Sequence, residues 1–328
     1  MRYLSSSWIA PSAILLLAIS PIAGAQAQLP SADPAPTIND TASLVLDATS
    51  RQSLQRALAA HDYRKAEELL LHQLNSLPKS SMDASESLRL LGTVYFLDHD
   101  FVQAAVAWKK AEAIAPLPED IQFSLAMAYI QLGHKDWAHE LLAKLQKLQP
   151  KTALYPYWLG RLAYDDHLYP EATELLRTTV ALDASMSRAW DNLGLCLYYQ
   201  NQNEDAIASF HRAIDLDSHA AHPSPWPFLN LAIVEQFLNR DSDAETHLRK
   251  SISLDEKFPQ AHFQLGLVLE NQSKLEDAMK EFTSAASLDA AWADPHMAMA
   301  RLAHKLGHED EAKQQVLLYR KLHSASQQ

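Results

Sequence analysis

Few side chains in the sequence have types and spacing that could carry out chemistry. His219 and His222 form an H-x-x-H pair that could hold a metal ion through two imidazole nitrogens. Metal sites of this kind use three or four protein ligands, so a pair without a third ligand is weak support for one. We expect both histidines to be ordinary surface residues, and we predict no metal site.

Catalytic groups are equally scarce. Cys196 is the only cysteine, and a nucleophilic thiol would need exposure and a neighbouring base. Acidic residues that could act as general acid and base occur at Asp165-Asp166 and Glu309-Asp310-Glu311. They fall near predicted hairpin turns or at the start of a predicted helix, where negative charge suits the positive helix end. Because the sequence also lacks H-E-x-x-H, C-x-x-C, G-x-S-x-G and phosphate-binding glycine motifs, we predict a protein that is not an enzyme and uses no cofactor.

The secondary structure that positions these residues is predicted most clearly in the stretch 187–220. Apolar residues recur there at helical spacing in two runs, separated by Asn201–Asn203. The first run is Trp190, Leu193, Gly194 and Leu197, and the second is Ala206, Ile207, Phe210, Ala213 and Ile214. The stretch therefore predicts two amphipathic helices joined by a short turn.

The same pattern returns along the chain in eight frames of 34 residues, with four-residue insertions at 81–84 and 221–224. The frames are 47–80, 85–118, 119–152, 153–186, 187–220, 225–258, 259–292 and 293–326. Position 20 of every frame is alanine, from Ala66 to Ala312. Every glycine after residue 27 occupies position 8 or position 15. Eight frames that agree at fixed positions indicate a repeat protein.

The order W-x2-L-G-x2-L followed by A-x3-F-x2-A in 187–220 resembles the tetratricopeptide repeat. The resemblance covers residues 47–326. It implies an all-α fold, a right-handed superhelical solenoid of about eight helix-turn-helix repeats, in which each hairpin buries its apolar side against its neighbours. Cys196 falls at position 10, which is apolar in the other frames, and is therefore predicted to be a small buried side chain.

Residues 1–27 are predicted to be a secretory signal peptide, with Arg2 before an apolar stretch at 9–23. Small residues place the cleavage site after Ala27 or after Ala25. A retained membrane anchor is the alternative, although the apolar stretch is shorter than the ~20 residues needed to span a membrane. We expect export to a bacterial periplasm, or secretion, followed by a flexible leader at 28–46.

The chain is acidic, with 28 Lys and Arg against 40 Asp and Glu and a formal net charge of −12. No basic run is longer than two residues. Such a surface repels phosphate backbones and anionic lipids. We therefore expect no nucleic-acid partner and no stable membrane insertion once the signal is cleaved, while the oligomeric state is left open.

Members of the tetratricopeptide family line a concave groove with the first helix of each repeat, at positions 2, 5, 6, 9, 12 and 13. The resemblance therefore implies a binding surface for a protein or peptide, and its candidate residues combine aromatic, amide and arginine side chains that are typical of recognition surfaces. They are Tyr157, Trp158, Arg161, Tyr164, Arg188, Asn192, Tyr198, Tyr199, Trp226, Asn230, Phe237, Phe263 and Gln264.

Asn192 and Asn230 both occupy position 6, and Gln264 follows in the next frame. An amide can donate and accept at once, as a peptide backbone requires. The pair resembles the start of an asparagine ladder of the kind that lines some members of the family. The prolines between His222 and Pro227 predict a rigid loop that carries Trp226 to the edge of the groove.

The carboxylate-clamp pattern of chaperone-binding family members is absent, because Tyr157 and Arg161 stand where it would place lysine and asparagine. Recognition of an acidic C-terminus of that kind is not expected. A scaffold for polysaccharide binding or export in the cell envelope is the alternative function, since tryptophan and tyrosine also stack on sugar rings. A glycan array and a pull-down from periplasmic extract would distinguish the two.

Overall fold

The computed structural model describes residue 41 and residues 44–325. The predicted signal peptide and most of the predicted leader lie outside the described residues. The chain divides into two compact units, Met1–His134 and Lys135–Gln328. No helix of the described residues is long and apolar enough to cross a membrane.

Sixteen α-helices and no strands occur in the described residues. The first unit contains α1 Ala48–Ala59, α2 Tyr63–Ser76, α3 Met82–Leu97, α4 Phe101–Glu112 and α5 Glu119–Gln131. The second contains α6 Lys135–Leu148, α7 Leu154–Asp165, α8 Tyr169–Leu182, α9 Ser187–Tyr199, α10 Asn203–Asp217, α11 Trp226–Phe237, α12 Asp241–Leu254, α13 Pro259–Asn271, α14 Leu275–Leu288, α15 Asp294–Lys305 and α16 Glu309–Ala325. Within each unit, helices that follow one another in the chain pack as hairpins. The predicted all-α fold of successive helix pairs is confirmed.

Position 15 of every frame has a left-handed backbone and lies in the turn that follows the first helix of its pair. The residues are His61, His99, Gly133, His167, Asn201, Asn239, Ser273 and Gly307, with φ between 54° and 79°. Glycine and asparagine adopt this conformation at low cost, whereas other residues are strained by it. The glycines at position 15 in the sequence therefore mark a turn geometry that all eight frames share.

Within each unit, the core of a hairpin forms where its two helices cross. The position-20 alanines from Ala66 to Ala278 are fully buried, and Ala312 is 8% exposed. In the hairpins of Gly194 and Gly266, glycine at position 8 faces an aromatic ring at position 24. A Cβ added to Gly194 would lie 2.6 Å from the Phe210 ring, and one added to Gly266 would lie 2.5 Å from the Phe282 ring. Cys196 is fully buried as predicted.

The residues just before α1 pack onto the first hairpin. Leu44 is 2% exposed and belongs to the same core cluster as Leu54 and Leu58. The Arg51 guanidinium donates to the Leu44 carbonyl oxygen at 3.0 Å. Residues of the insertion 81–84 form the start of α3, with the Ser81 hydroxyl accepting from the Ala84 N–H at 3.1 Å.

Candidate functional site

The first helices α7, α9 and α11 lie side by side in the second unit. Residues three or four positions apart share a helix face, so each of these helices carries a row of the predicted site residues. We call their shared surface the α7–α11 face, defined by Tyr157, Arg161, Tyr164, Arg188, Asp191, Asn192, Tyr198, Tyr199, Asn230 and Phe237. It contains a polar cluster and an aromatic cluster.

The polar cluster joins α7 to α9 through Asn192. Its Nδ2 donates to the Tyr157 hydroxyl at 3.2 Å, and its Oδ1 accepts from Arg161 Nη1 at 3.2 Å. Asn192 is only 5% exposed, so both bonds form away from bulk water. The Arg188 guanidinium lies 4.7 Å from the centroid of the Tyr157 ring, a cation–π distance. These contacts fix the amide of Asn192 in one orientation.

Asn230 extends the cluster to α11. Its Nδ2 donates to Asp191 Oδ1 at 2.9 Å, and the residue is 2% exposed. No described residue donates to its Oδ1. A buried acceptor without a partner costs roughly 1–3 kcal/mol. Asn230 Oδ1 is therefore a buried acceptor whose hydrogen-bonding capacity the described residues leave unused.

Asp191 is the strongly perturbed acid of the face. Burial raises its pKa to about 7, against the opposing effects of the Asn230 hydrogen bond and the Arg161 charge. Asp217 adds a smaller like-charge contribution that also raises the pKa. The carboxyl group of Asp191 thus changes charge near neutral pH.

The aromatic cluster lies at the carboxyl ends of the same first helices. Tyr199 stacks on Tyr169 of α8 with ring centroids 4.6 Å apart and planes 7° apart. The ring centroid of Tyr198 lies 5.6 Å from that of Tyr199 and 5.8 Å from that of Phe237, and the contact with Phe237 is edge-to-face. Phe237 is 56% exposed and Tyr199 is 36% exposed. Burial raises the pKa of Tyr164, which lies 6.0 Å from Tyr199.

Tyr169 was not among the sequence-predicted site residues because it opens a second helix. A signal for it exists in the sequence. His61, His99 and His167 at the left-handed turn are each followed two residues later by Tyr63, Phe101 or Tyr169, and each of these pairs is in ring contact. Asp191 was also outside the predicted set, although it occupies position 5.

Four of the predicted residues lie outside both clusters, and three of them pack largely within the repeats. Trp158 is 4% exposed. Trp226 begins α11 and meets the Phe258 ring edge-on at 4.7 Å. Phe263 lies 4.8 Å from Trp292 and 5.6 Å from Phe282. Gln264 is half-buried on α13. None of these four belongs to the polar or aromatic cluster, and their role in binding stays a prediction.

Other chemistry-bearing residues are less suited to a site. Burial raises the pKa of the Cys196 thiol to about 12, so the group stays protonated at neutral pH. His219 and His222 are exposed between α10 and α11. Across residues 44–325 and residue 41, no three His, Cys, Asp or Glu side chains are grouped to hold a metal ion.

Comparison with known proteins finds tetratricopeptide repeat models matching residues 187–220 and 123–187. The BBSome complex member BBS4 of Bos taurus is 23% identical over 201 residues, which are 61% of this chain and 38% of that protein. The type IV pilus assembly protein PilF of Pseudomonas aeruginosa is 24% identical over 152 residues, or 46% of this chain and 59% of PilF. The chain therefore matches less than two thirds of either relative.

A solved structure of a tetratricopeptide repeat protein from Parabacteroides merdae superposes with a TM-score of 0.62. The match covers 78% of this chain and 98% of that chain at 16% sequence identity. At this identity the likeness concerns the fold, which is again a series of helix pairs.

Proposed function

We propose that this chain, a tetratricopeptide repeat protein, is a non-catalytic scaffold that binds a protein or peptide ligand on its α7–α11 face. The observation that carries the proposal is the juxtaposition of the buried, unpartnered Asn230 Oδ1 with exposed rings at Tyr199 and Phe237. A buried acceptor selects for an N–H donor, and exposed aromatic rings select for apolar side chains. A peptide provides both groups on one chain.

Spacing supports an extended peptide. Neighbouring helices lie ~10 Å apart, and an extended chain advances ~3.3 Å per residue, so about three peptide residues pass each repeat. A strand of roughly six residues would then reach from α7 to α11. A small shift of the side chains that cover Asn230 Oδ1 would let a peptide N–H reach it, and an apolar side chain would lie against Phe237.

The location of the protein is part of the proposal. PilF is a type IV pilus assembly protein, and the sequence predicts a signal peptide at residues 1–27. Both support a protein of the bacterial envelope, in the periplasm or secreted. The ligand is accordingly proposed to be a segment of another envelope protein.

Selection of random peptides on the mature chain, residues 28–328, tests the proposal. We expect selected peptides to bind with Kd values that rise about tenfold in Asn230→Ala and in Phe237→Ser. Val102→Ser is the matched control, since Val102 is 54% exposed on α4 of the first unit. Peptides that bind Asn230→Ala and Phe237→Ser as tightly as the native chain would refute a site on this face.

The polysaccharide alternative is tested with the same variants on an oligosaccharide array. Sugar rings stack on exposed aromatic side chains without needing the buried amide acceptor. Oligosaccharide binding that is lost in Phe237→Ser but kept in Asn230→Ala, with no peptide selected, would contradict the peptide proposal and favour an envelope polysaccharide scaffold.

A further inference from the structure

Asp191 and Asn230 form a hydrogen-bonded pair that joins α9 to α11 on the α7–α11 face. Asn230 Nδ2 donates to Asp191 Oδ1 at 2.9 Å. Asn230 is 2% exposed, and its own Oδ1 has no partner among the described residues. A carboxyl group and an amide each carry two polar atoms on one carbon, so the second oxygen of Asp191 and Oδ1 of Asn230 both remain close to the existing bond.

The charge state of Asp191 decides whether Asn230 Oδ1 can find a partner within the protein. An ionised carboxylate only accepts hydrogen bonds, so it leaves the amide oxygen without a donor. A carboxyl group that has taken up a proton from solvent also carries an O–H donor. It can then pair with the amide at two points, accepting from Nδ2 and donating to Oδ1. Because a buried acceptor without a partner is unfavourable, the two-point pair is the preferred arrangement once the proton is present.

Both charge states of Asp191 are populated near neutral pH. Burial raises its pKa to about 7, and the Asn230 hydrogen bond and the charge of Arg161 on α7 oppose this rise. Asp165, the other charged residue of α7, lies 4.0 Å from Arg161. Asp217 of α10 raises the pKa further, and the other charged side chains of α10 are exposed to solvent.

The remaining charged groups around α9 are held elsewhere. On α9 itself, the Arg188 guanidinium lies over the Tyr157 ring, one turn before Asp191. The charged side chains of α8 are all exposed to solvent. Glu235 is the charged residue of α11, and its carboxylate lies 2.7 Å from His247 Nδ1 of α12. The proton on Asp191 therefore acts chiefly on Asn230.

We propose that Asp191 is a proton-controlled positioning residue, which leaves Asn230 Oδ1 available to a peptide N–H while it is ionised and bonds to that oxygen while it is protonated. This inference rests on the proposed function of the α7–α11 face. A proton and a peptide then compete for the same acceptor, so peptide binding strengthens as pH rises through neutrality. By linkage, a bound peptide lowers the pKa of Asp191.

Side-chain NMR of the mature chain, residues 28–328, tests the pairing without any ligand. We expect the Asn230 amide signals to shift between pH 9 and pH 5 with the same midpoint as the Asp191 carboxyl carbon. Asn192 is the matched control, because it occupies the same repeat position but is bonded to Tyr157 and Arg161, so its amide signals should shift far less. Asn230 signals that stay constant while Asp191 titrates, or an Asp191 carboxyl that does not titrate in this range, would overturn the proposal.

Binding of peptides without titratable side chains, selected on the mature chain at pH 8, tests the consequence. We expect Kd to be about five- to tenfold higher at pH 6 than at pH 8. One buried hydrogen bond sets the lower figure, and proton occupancy of a group with a pKa of about 7 sets the upper one. Asp191→Asn presents an amide N–H in place of the carboxyl O–H. It should therefore bind as weakly at pH 8 as the native chain does at pH 6, with no dependence on pH.

Asp165→Asn is the control variant, because it removes an acid near Arg161 that has no contact with Asn230 and should keep the pH dependence of the native chain. Equal Kd values of the native chain at pH 6 and pH 8 would refute the competition, as would pH-dependent binding that persists in Asp191→Asn. If no peptide binds at either pH, the proposed function of the face fails, while the NMR titration still decides whether Asp191 and Asn230 pair as proposed.

Discussion

At the scale of single residues, Asn230 and Asp191 carry most of the specificity proposed for the α7–α11 face. Asn230 uses one side of its amide to hold Asp191 and leaves the other side without a protein partner. Asn192, by contrast, is bonded on both sides by residues of α7. The two asparagines share a position in the repeat but not a role, and of the two only Asn230 keeps a buried acceptor without a partner among the described residues.

The pKa of Asp191, raised by burial to about 7, predicts how stability depends on pH. A carboxyl whose pKa is higher in the folded state than in the unfolded chain favours folding while it is protonated. That contribution is complete below the unfolded pKa of about 4 and is lost as pH rises through about 7. We therefore expect Asp191→Asn to raise the free energy of unfolding at pH 8, by on the order of 1 kcal/mol, with little gain at pH 4.

Urea unfolding of both proteins at several pH values measures this difference. Asp165→Asn is the control, because Asp165 is an exposed acid at the end of α7. An equal effect of Asp191→Asn at pH 4 and pH 8 would show that Asp191 does not titrate as proposed.

At the scale of elements, three hairpins depend on size compensation between position 8 and position 24. Glycine at position 8 accompanies the aromatic side chains of Trp108, Phe210 and Phe282. Where position 24 is leucine, position 8 is alanine in the frames of Leu142 and Leu248 and glycine in the frame of Leu176. The crossing of the two helices is thus kept while the residues that fill it vary.

Gly194→Ala should destabilise the protein by about 1–3 kcal/mol, because the added methyl would overlap the Phe210 ring. Phe210→Leu in the same chain should recover much of the loss, since Ala232 already shares a core with Leu248 at the same two positions of its own hairpin. Thermal unfolding of the two single variants and the double variant gives the interaction energy. Strictly additive losses would mean that the two residues do not compensate each other.

The sequence was sufficient to predict the helix pairs, because apolar spacing and the left-handed turn at position 15 are local properties. It was also sufficient to predict that Tyr198, Tyr199 and Phe237 share a face. It could not show that Trp226 and Phe263 pack on Phe258 and Trp292 of neighbouring elements. Whether these rings are packed or exposed depends on how each first helix is rotated about its own axis. That rotation is set by the packing of many side chains together. The hydrogen bond between Asp191 and Asn230 could not be predicted from the sequence for the same reason.

At the scale of the whole molecule, a repeat array is stabilised mainly between neighbours, so damage to one interface should remain local. Glu270 on α13 connects the last two repeats, accepting from Arg301 at 2.6 Å and from Lys305 of α15. Burial pushes its pKa up, but the hydrogen bonds from Arg301 and Lys305 outweigh burial and leave the pKa below its ordinary value. The ion pairs of Glu270 therefore stabilise the fold at pH values above the unfolded pKa of glutamate. This contribution is lost as the pH falls through the lowered pKa of Glu270 in the folded protein.

Glu270→Gln should loosen the final repeat, since it removes the charge that Arg301 and Lys305 share, at a cost of about 1–3 kcal/mol. Hydrogen exchange should show faster exchange in α15 and α16 and unchanged exchange in α7–α10, because those helices share no interface with Glu270. Glu276→Gln, an exposed acid at the start of α14, is the control. Faster exchange spread evenly over the second unit would instead mean that this unit unfolds as one cooperative block. A ligand bound on the α7–α11 face would then stabilise the final repeat as strongly as it stabilises the helices that it contacts.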